Sequence, residues 1–76
     1  MATVRHLERI QLQVEAKHTD AEATWSIVKD RDGETYLQID TYGSNERKLV
    51  GKQSQSIRLS ADAIKELRDI LATHFR

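Results

Sequence analysis

The apolar pattern of this chain changes period at Ser60. Up to Leu59 the large apolar side chains alternate with polar ones, and from Ile64 onward they recur every three or four positions as Ile64, Leu67, Ile70, Leu71, His74 and Phe75. Alternation is the mark of strands with one buried face, and the longer spacing is that of a helix with one apolar stripe. A chain of 76 residues that ends in this way has room for one small sheet and one helix. The spacing predicts a helix over residues 61–75. Ser60 is its expected N-cap, Asp62 sits where the dipole favours a carboxylate, and His74 stands at the end that favours a cation.

The strands follow from the same reading. In 35–42, Leu37, Ile39 and Thr41 share one face, and Tyr36, Gln38, Asp40 and Tyr42 share the other. Trp25 and Ile27 alternate with Thr24, Ser26 and Val28, which places the tryptophan opposite Leu37 and Ile39 and predicts a core position for it. Between the two runs lies Lys29-Asp30-Arg31-Asp32-Gly33-Glu34, whose Asp-Gly step suits a hairpin turn. A further strand is expected at 53–59, with Ile57 and Leu59 on the buried face and Lys52, Ser54, Ser56 and Arg58 on the other. The N-terminal part is ambiguous between alternation (Ile10, Leu12, Val14) and a helical stripe (Val4, Leu7, Ile10, Val14), and a strand at 8–16 is favoured. Residues 1–7 are then candidates for disorder. The expected fold is α+β: a four-stranded antiparallel, curved sheet followed by one C-terminal helix, β-β-β-β-α, in a single domain over 1–76.

Size and composition narrow the function. A domain this small buries only about 60% of the surface its unfolded chain exposes, and one core of this size rarely supplies more than ~3–5 kcal/mol. The chain has no cysteine, hence neither disulfides nor thiolate metal ligands. Self-association is the expected supplement, so a homodimer is anticipated. The first residues lack the apolar core of a signal peptide, and no segment approaches the length of a membrane span, which points to a cytoplasmic protein.

Twelve basic and twelve acidic residues cancel overall but are unevenly placed. Residues 1–42 carry five Lys or Arg against eight Asp or Glu, residues 43–58 carry four against one, and residues 59–76 carry three of each. The positive stretch contains Arg47, Lys48, Lys52, Ser54, Ser56 and Arg58, whose cations and hydroxyls are the groups that phosphate oxygens accept hydrogen bonds from. With Tyr36 and Tyr42 as stacking surfaces, these residues form the candidate nucleic-acid-binding set. A solvated outer face, with cations guarding a strand edge, explains the same stretch without a ligand.

Other chemistries have less to stand on. His6, His18 and His74 are too far apart in sequence to form a metal-binding motif, so neither a metal nor another cofactor is expected. Asp30-x-Asp32-Gly33 resembles the start of a calcium loop but lacks the later ligands, and a charged hairpin turn accounts for it better. The sequence contains no nucleophile elbow, and no enzymatic activity is expected.

From Thr24 to Leu71 the chain resembles the single-stranded-DNA-binding domain of the transcriptional coactivator positive cofactor four and its bacterial and phage relatives. Ser26-Ile27-Val28-Lys29-Asp30 with Gly33, Tyr36-Leu37-Gln38-Ile39-Asp40 with Tyr42, and Ile57-Arg58-Leu59-Ser60 with Ile64 and Leu67 carry the likeness. It implies a homodimer paired through helices and sheet edges that offers curved antiparallel sheets to melted or single-stranded DNA. The basic Gly-Arg/Lys-x-Gly segment usual before the last strand is replaced by Gln53-Ser54-Gln55-Ser56. Arg31 and Gly43 stand where aromatics are common, and Glu34 stands where a basic residue is typical. The string 37–44, with Gly51-Lys52 and Ser54-Gln55-Ser56-Ile57, is also similar to a set of small uncharacterised bacterial proteins. The expected function is a dimeric binding module for single-stranded or locally melted nucleic acid, and the resemblance implies a link to transcription. A protein-interaction or regulatory module is the alternative.

Overall fold

The computed structural model describes residues 1–12, 20–42 and 55–75. Its elements are β1 (Ala2–Val4), β2 (Ala23–Lys29), β3 (Thr35–Thr41), β4 (Gln55–Leu59) and α1 (Ala61–His74). They form a four-stranded sheet in the order β1-β4-β3-β2, followed by the helix. The α+β class and the C-terminal helix are as the periodicities predict. The all-antiparallel sheet is not: β2–β3 and β3–β4 are antiparallel, but β1 runs parallel to β4, with Ala2, Thr3 and Val4 opposite Ile57, Arg58 and Leu59.

The first strand also lies elsewhere than expected. Residues 5–12 belong to no strand, and the edge of β4 is taken instead by Ala2–Val4, within the segment read as a candidate for disorder. The Val4 carbonyl accepts from the Ser60 amide at 3.0 Å, so the end of β1 is tied to the start of the helix. The amide of Leu7 then donates to Glu66 Oε1 at 2.6 Å. Together these bonds carry the chain along α1, which is why the alternation of Ile10 and Leu12 does not translate into a strand. The rest of the expected strand, 13–16, lies outside the described residues, as do residues 43–54, including the first two of the strand expected at 53–59.

The β2–β3 hairpin is built as its sequence requires. Register pairs set Trp25 against Ile39 and Ile27 against Leu37. Asp30 organises the turn: its Oδ1 accepts from the amides of Asp32 (2.9 Å) and Glu34 (3.0 Å), and its carbonyl accepts from Gly33 (3.1 Å). Gly33 adopts φ +86, a conformation that costs a side-chain-bearing residue steric energy. At the far end the Ser60 hydroxyl caps α1 by accepting from the Ala63 amide at 3.2 Å, and Asp62 occupies the first turn.

These elements separate two sheet faces. One carries Trp25, Ile27, Leu37, Ile39, Ile57 and Leu59, and the other carries Thr24, Ser26, Tyr36, Gln38, Asp40, Ser56 and Arg58. Helix α1 packs on β3 and β4 and covers only the Leu37–Leu59 end of the apolar face. Among the described residues the buried apolar side chains are Tyr36, Leu59 and Ala63, and no large side chain is fully enclosed. Trp25 is 72% exposed and Ile27 61%, so the core position expected for the tryptophan is corrected. Alternation assigns a residue to a face; it does not say whether anything lies over that face.

Candidate nucleic-acid interface

The polar sheet face is an interlocked hydrogen-bond network. Gln38 and Arg58 are direct partners in the β3–β4 register, and Arg58 Nε donates to Gln38 Oε1 at 2.8 Å. The Gln38 amide in turn donates to the Asp40 carboxylate at 3.1 and 3.2 Å, and the Ser56 hydroxyl donates to Asp40 Oδ1 at 2.5 Å. The Ser56 hydroxyl, the Gln38 amide and the nearby charge of Arg58 hold the Asp40 carboxyl below its ordinary range, against the opposing effect of burial.

A second cluster lies beside the hairpin turn. The Tyr36 hydroxyl is 2.8 Å from Glu34 Oε1 and 3.0 Å from Asp30 Oδ2, with one proton for the two acceptors, and it accepts from Arg5 Nη2 at 3.2 Å. Arg5 Nη1 also donates to Glu34 Oε2 at 2.8 Å, an ion pair between part-exposed side chains. The Arg5 contact, followed by the Tyr36 hydroxyl, lowers the Glu34 carboxyl. Donating chiefly to Glu34 raises the Tyr36 phenol, and the Asp30 carboxyl is lowered mainly by the Glu34 amide.

The residues expected to bind nucleic acid fare unequally. Arg47, Lys48, Lys52 and Ser54 lie outside the described residues. Arg58 and Ser56 are on the polar face as expected, but Ser56 is only 9% exposed and its hydroxyl is directed at Asp40. Tyr36 is 5% exposed, with the guanidinium carbons of Arg5 and Arg58 5.8 and 5.9 Å from its ring centroid. The Tyr36 ring, expected as a stacking surface, is thus buried with two arginines over it. Tyr42 is half-buried, and its hydroxyl meets Thr24 Oγ1 at 3.1 Å. Arg5 is the residue of this face that sequence reasoning passed over; its place depends on β1, which carries no readable alternation.

Nothing among the described residues gathers three metal-ligating side chains, and no described helix is long and apolar enough to cross a membrane. His6 Nδ1 is 3.5 Å from Glu66 Oε2, with both side chains at the surface. The calcium-like string serves the hairpin: the Asp30 carboxylate organises the turn, and Asp32 supplies one of the backbone amides it binds. The chain matches no family model, no curated protein and no solved structure.

Proposed function

We propose that the chain is a non-catalytic binding module for single-stranded or locally melted nucleic acid, acting as a homodimer. The observation that carries this reading is the concentration of charge in 43–58, four cations against one carboxylate, leading into β4 at Arg58. Gln38 and the Tyr36 ring fix Arg58 on the polar face. A guanidinium held in place loses less side-chain entropy when it meets a phosphate than a free one does.

The same face limits the strength of the contact. Asp30 and Glu34 stand by Arg5 and Tyr36 at the hairpin end and Asp40 stands near Arg58, so carboxylates oppose a phosphate at both ends of the face. With few phosphate contacts the affinity is modest, and each contact contributes about −0.7 to the log-log salt slope expected for single strands.

Fluorescence anisotropy of a labelled single-stranded oligonucleotide tests the reading. Binding is expected with micromolar protein at ~50 mM salt, weakening steeply as salt rises. It is also expected to be lost in the Arg47→Ala, Lys52→Ala, Arg58→Ala triple variant. Absence of binding under those conditions overturns the reading, and binding that ignores salt or the triple substitution places the site elsewhere.

A second reading is a protein-interaction module, favoured by two observations: the three carboxylates on the polar face, and the uncovered Trp25 and Ile27 on the other. Retention of one protein partner after nuclease treatment supports it over the first.

A further inference from the structure

Residues 2–7 are fastened to the rest of the fold at three places, and each fastening is polar. Ala2–Val4 lies along β4 as a strand of three residues, and its last carbonyl, that of Val4, accepts from the Ser60 amide at 3.0 Å. Val4 pairs with Leu59 and Leu59 with Leu37, so Arg5 is level with Tyr36 two strands away, about 10 Å across the sheet. Its guanidinium spans that gap over β4 to reach Glu34 Oε2 at 2.8 Å and the Tyr36 hydroxyl at 3.2 Å. The Leu7 amide then donates to Glu66 Oε1 at 2.6 Å, with His6 Nδ1 3.5 Å from the other oxygen of the same carboxylate.

Little apolar burial backs these contacts. Of residues 1–12, Val4 alone is not exposed, and the buried side chains among the described residues all belong to β3, β4 and the start of α1. A cleft of about 590 Å³ separates Leu7 and Ile10 from Leu67, Ile70 and Phe75, so the segment does not close its apolar side chains on the helix. The Arg5–Glu34 pair lies at the surface, where ion pairs contribute little net stability. A short segment held by exposed polar contacts opens at a lower free energy than the whole domain. The β2–β3 hairpin, paired over seven residues, has no such weakness.

We infer that residues 2–7 form a strap that opens as one unit while β2, β3, β4 and α1 stay folded, and that protons on Glu34 and Glu66 release it. Both side-chain fastenings end on a carboxylate, one beside the hairpin turn and one on the helix, so a single condition loosens both. Arg5 on the strap, Tyr36 on β3 and Asp30 in the turn face Glu34. His6 on the strap faces Glu66, and Asp62 and Asp69 stand one turn to either side of it on α1. Arg5 and the Leu7 amide respectively hold these two carboxyls below their ordinary value of 4.5, so the fastening is complete above that value and fades as pH falls through the lowered ones. Opening has two coupled effects. It bares the backbone of Ile57, Arg58 and Leu59 along the edge of β4, where another strand can pair, and it leaves Arg58 as the one arginine over the Tyr36 ring.

Amide hydrogen exchange of the full chain, followed by NMR and expressed as protection factors, supplies the test. At neutral pH the Leu7 and Ser60 amides are expected to share one opening constant and to be at least ~10-fold less protected than the β2–β3 ladder. From neutral pH to about 4 the gap is expected to widen by a further ~10-fold, with the Tyr36 ring signals moving in the same titration. Glu66→Gln keeps an oxygen acceptor but cannot titrate, and it is expected to reduce the pH dependence at both amides alike. The Glu34→Gln, Glu66→Gln double variant is expected to abolish it. Arg5→Ala is expected to lower protection at Leu7 and Ser60 together, by about 3-fold, although the Arg5 side chain bonds to neither. Leu7 and Ser60 amides that exchange with different constants overturn the inference, as do amides protected as fully as the ladder or indifferent to pH. Should the double variant fail to fold, the wild-type pH series and Arg5→Ala decide. No oligonucleotide is present, so the strap and the nucleic-acid reading stand or fall separately.

Discussion

Arg58 donates through Nε to the side-chain oxygen of Gln38, the residue directly opposite it across β3 and β4. Because Gln38 passes the interaction on to Asp40, and Ser56 meets the same carboxylate from the neighbouring strand, the two strands are joined by side chains as well as by their backbones. Cross-strand pairs of this kind fix register. Here they do so on the face proposed to meet a ligand.

The acid limb of the stability profile follows from that network. Asp40, Glu34, Asp30 and Glu66 are all held below their ordinary values of 3.8 for Asp and 4.5 for Glu. The last is lowered chiefly by the Leu7 amide. A depressed folded-state pKa means the contribution is complete above the unfolded value and disappears as pH falls through the folded one. The urea midpoint is therefore expected to be nearly flat from neutral pH down to about 5 and to decline below the ordinary carboxylate range. Asp40→Asn should flatten part of that decline when midpoints are compared across pH.

Removing the helix cap tests the other end of the sheet. Ser60→Ala takes away the acceptor for the Ala63 amide in a buried setting and is expected to cost about 1 kcal/mol in urea unfolding. Ser60→Asp, which keeps an acceptor at that position, should lose less.

Gly33 is a conformational requirement and not a packing one. A methyl group there meets nothing within 4 Å, so Gly33→Ala is penalised only through its φ of +86. The expected cost is about 1 kcal/mol, with Gly33→Asn milder because asparagine tolerates the left-handed region. Denaturant midpoints of the two variants should rank in that order.

Tyr36→Phe separates the ring from the hydroxyl. The variant keeps the buried ring beneath Arg5 and Arg58 but takes away the hydroxyl shared by Glu34, Asp30 and Arg5. A small loss of stability is expected, clearly less than that of Tyr36→Ala. In an NMR titration Glu34 should ionise at a higher pH in the phenylalanine variant, because the tyrosine hydroxyl helps to lower its pKa.

Local chemistry was legible wherever one residue type had one use. Asp30 and Gly33 specify the turn, alternation sets Trp25 opposite Ile39, and Ser60 marks the helix start. Ala2–Val4 escaped because three residues have no measurable period and the partner that makes them a strand is β4, far along the chain. Trp25 and Tyr36 were placed on the right faces with the wrong exposure. The arginines over Tyr36 and the short reach of α1 are tertiary facts that a two-residue repeat does not encode. The cationic set is half legible for a related reason: Arg58 inherits its position from a strand, whereas 47–54 fall outside the described residues.

The outermost rung joins Ala2 to Ile57, so about three-quarters of the 76 residues must be in hand before the sheet closes. Contacts this remote in sequence slow the search for the native arrangement and leave the edge of β4 bare until late. A newly made chain therefore passes through a stage in which that edge is open to strangers, and crowding during synthesis becomes its period of greatest risk.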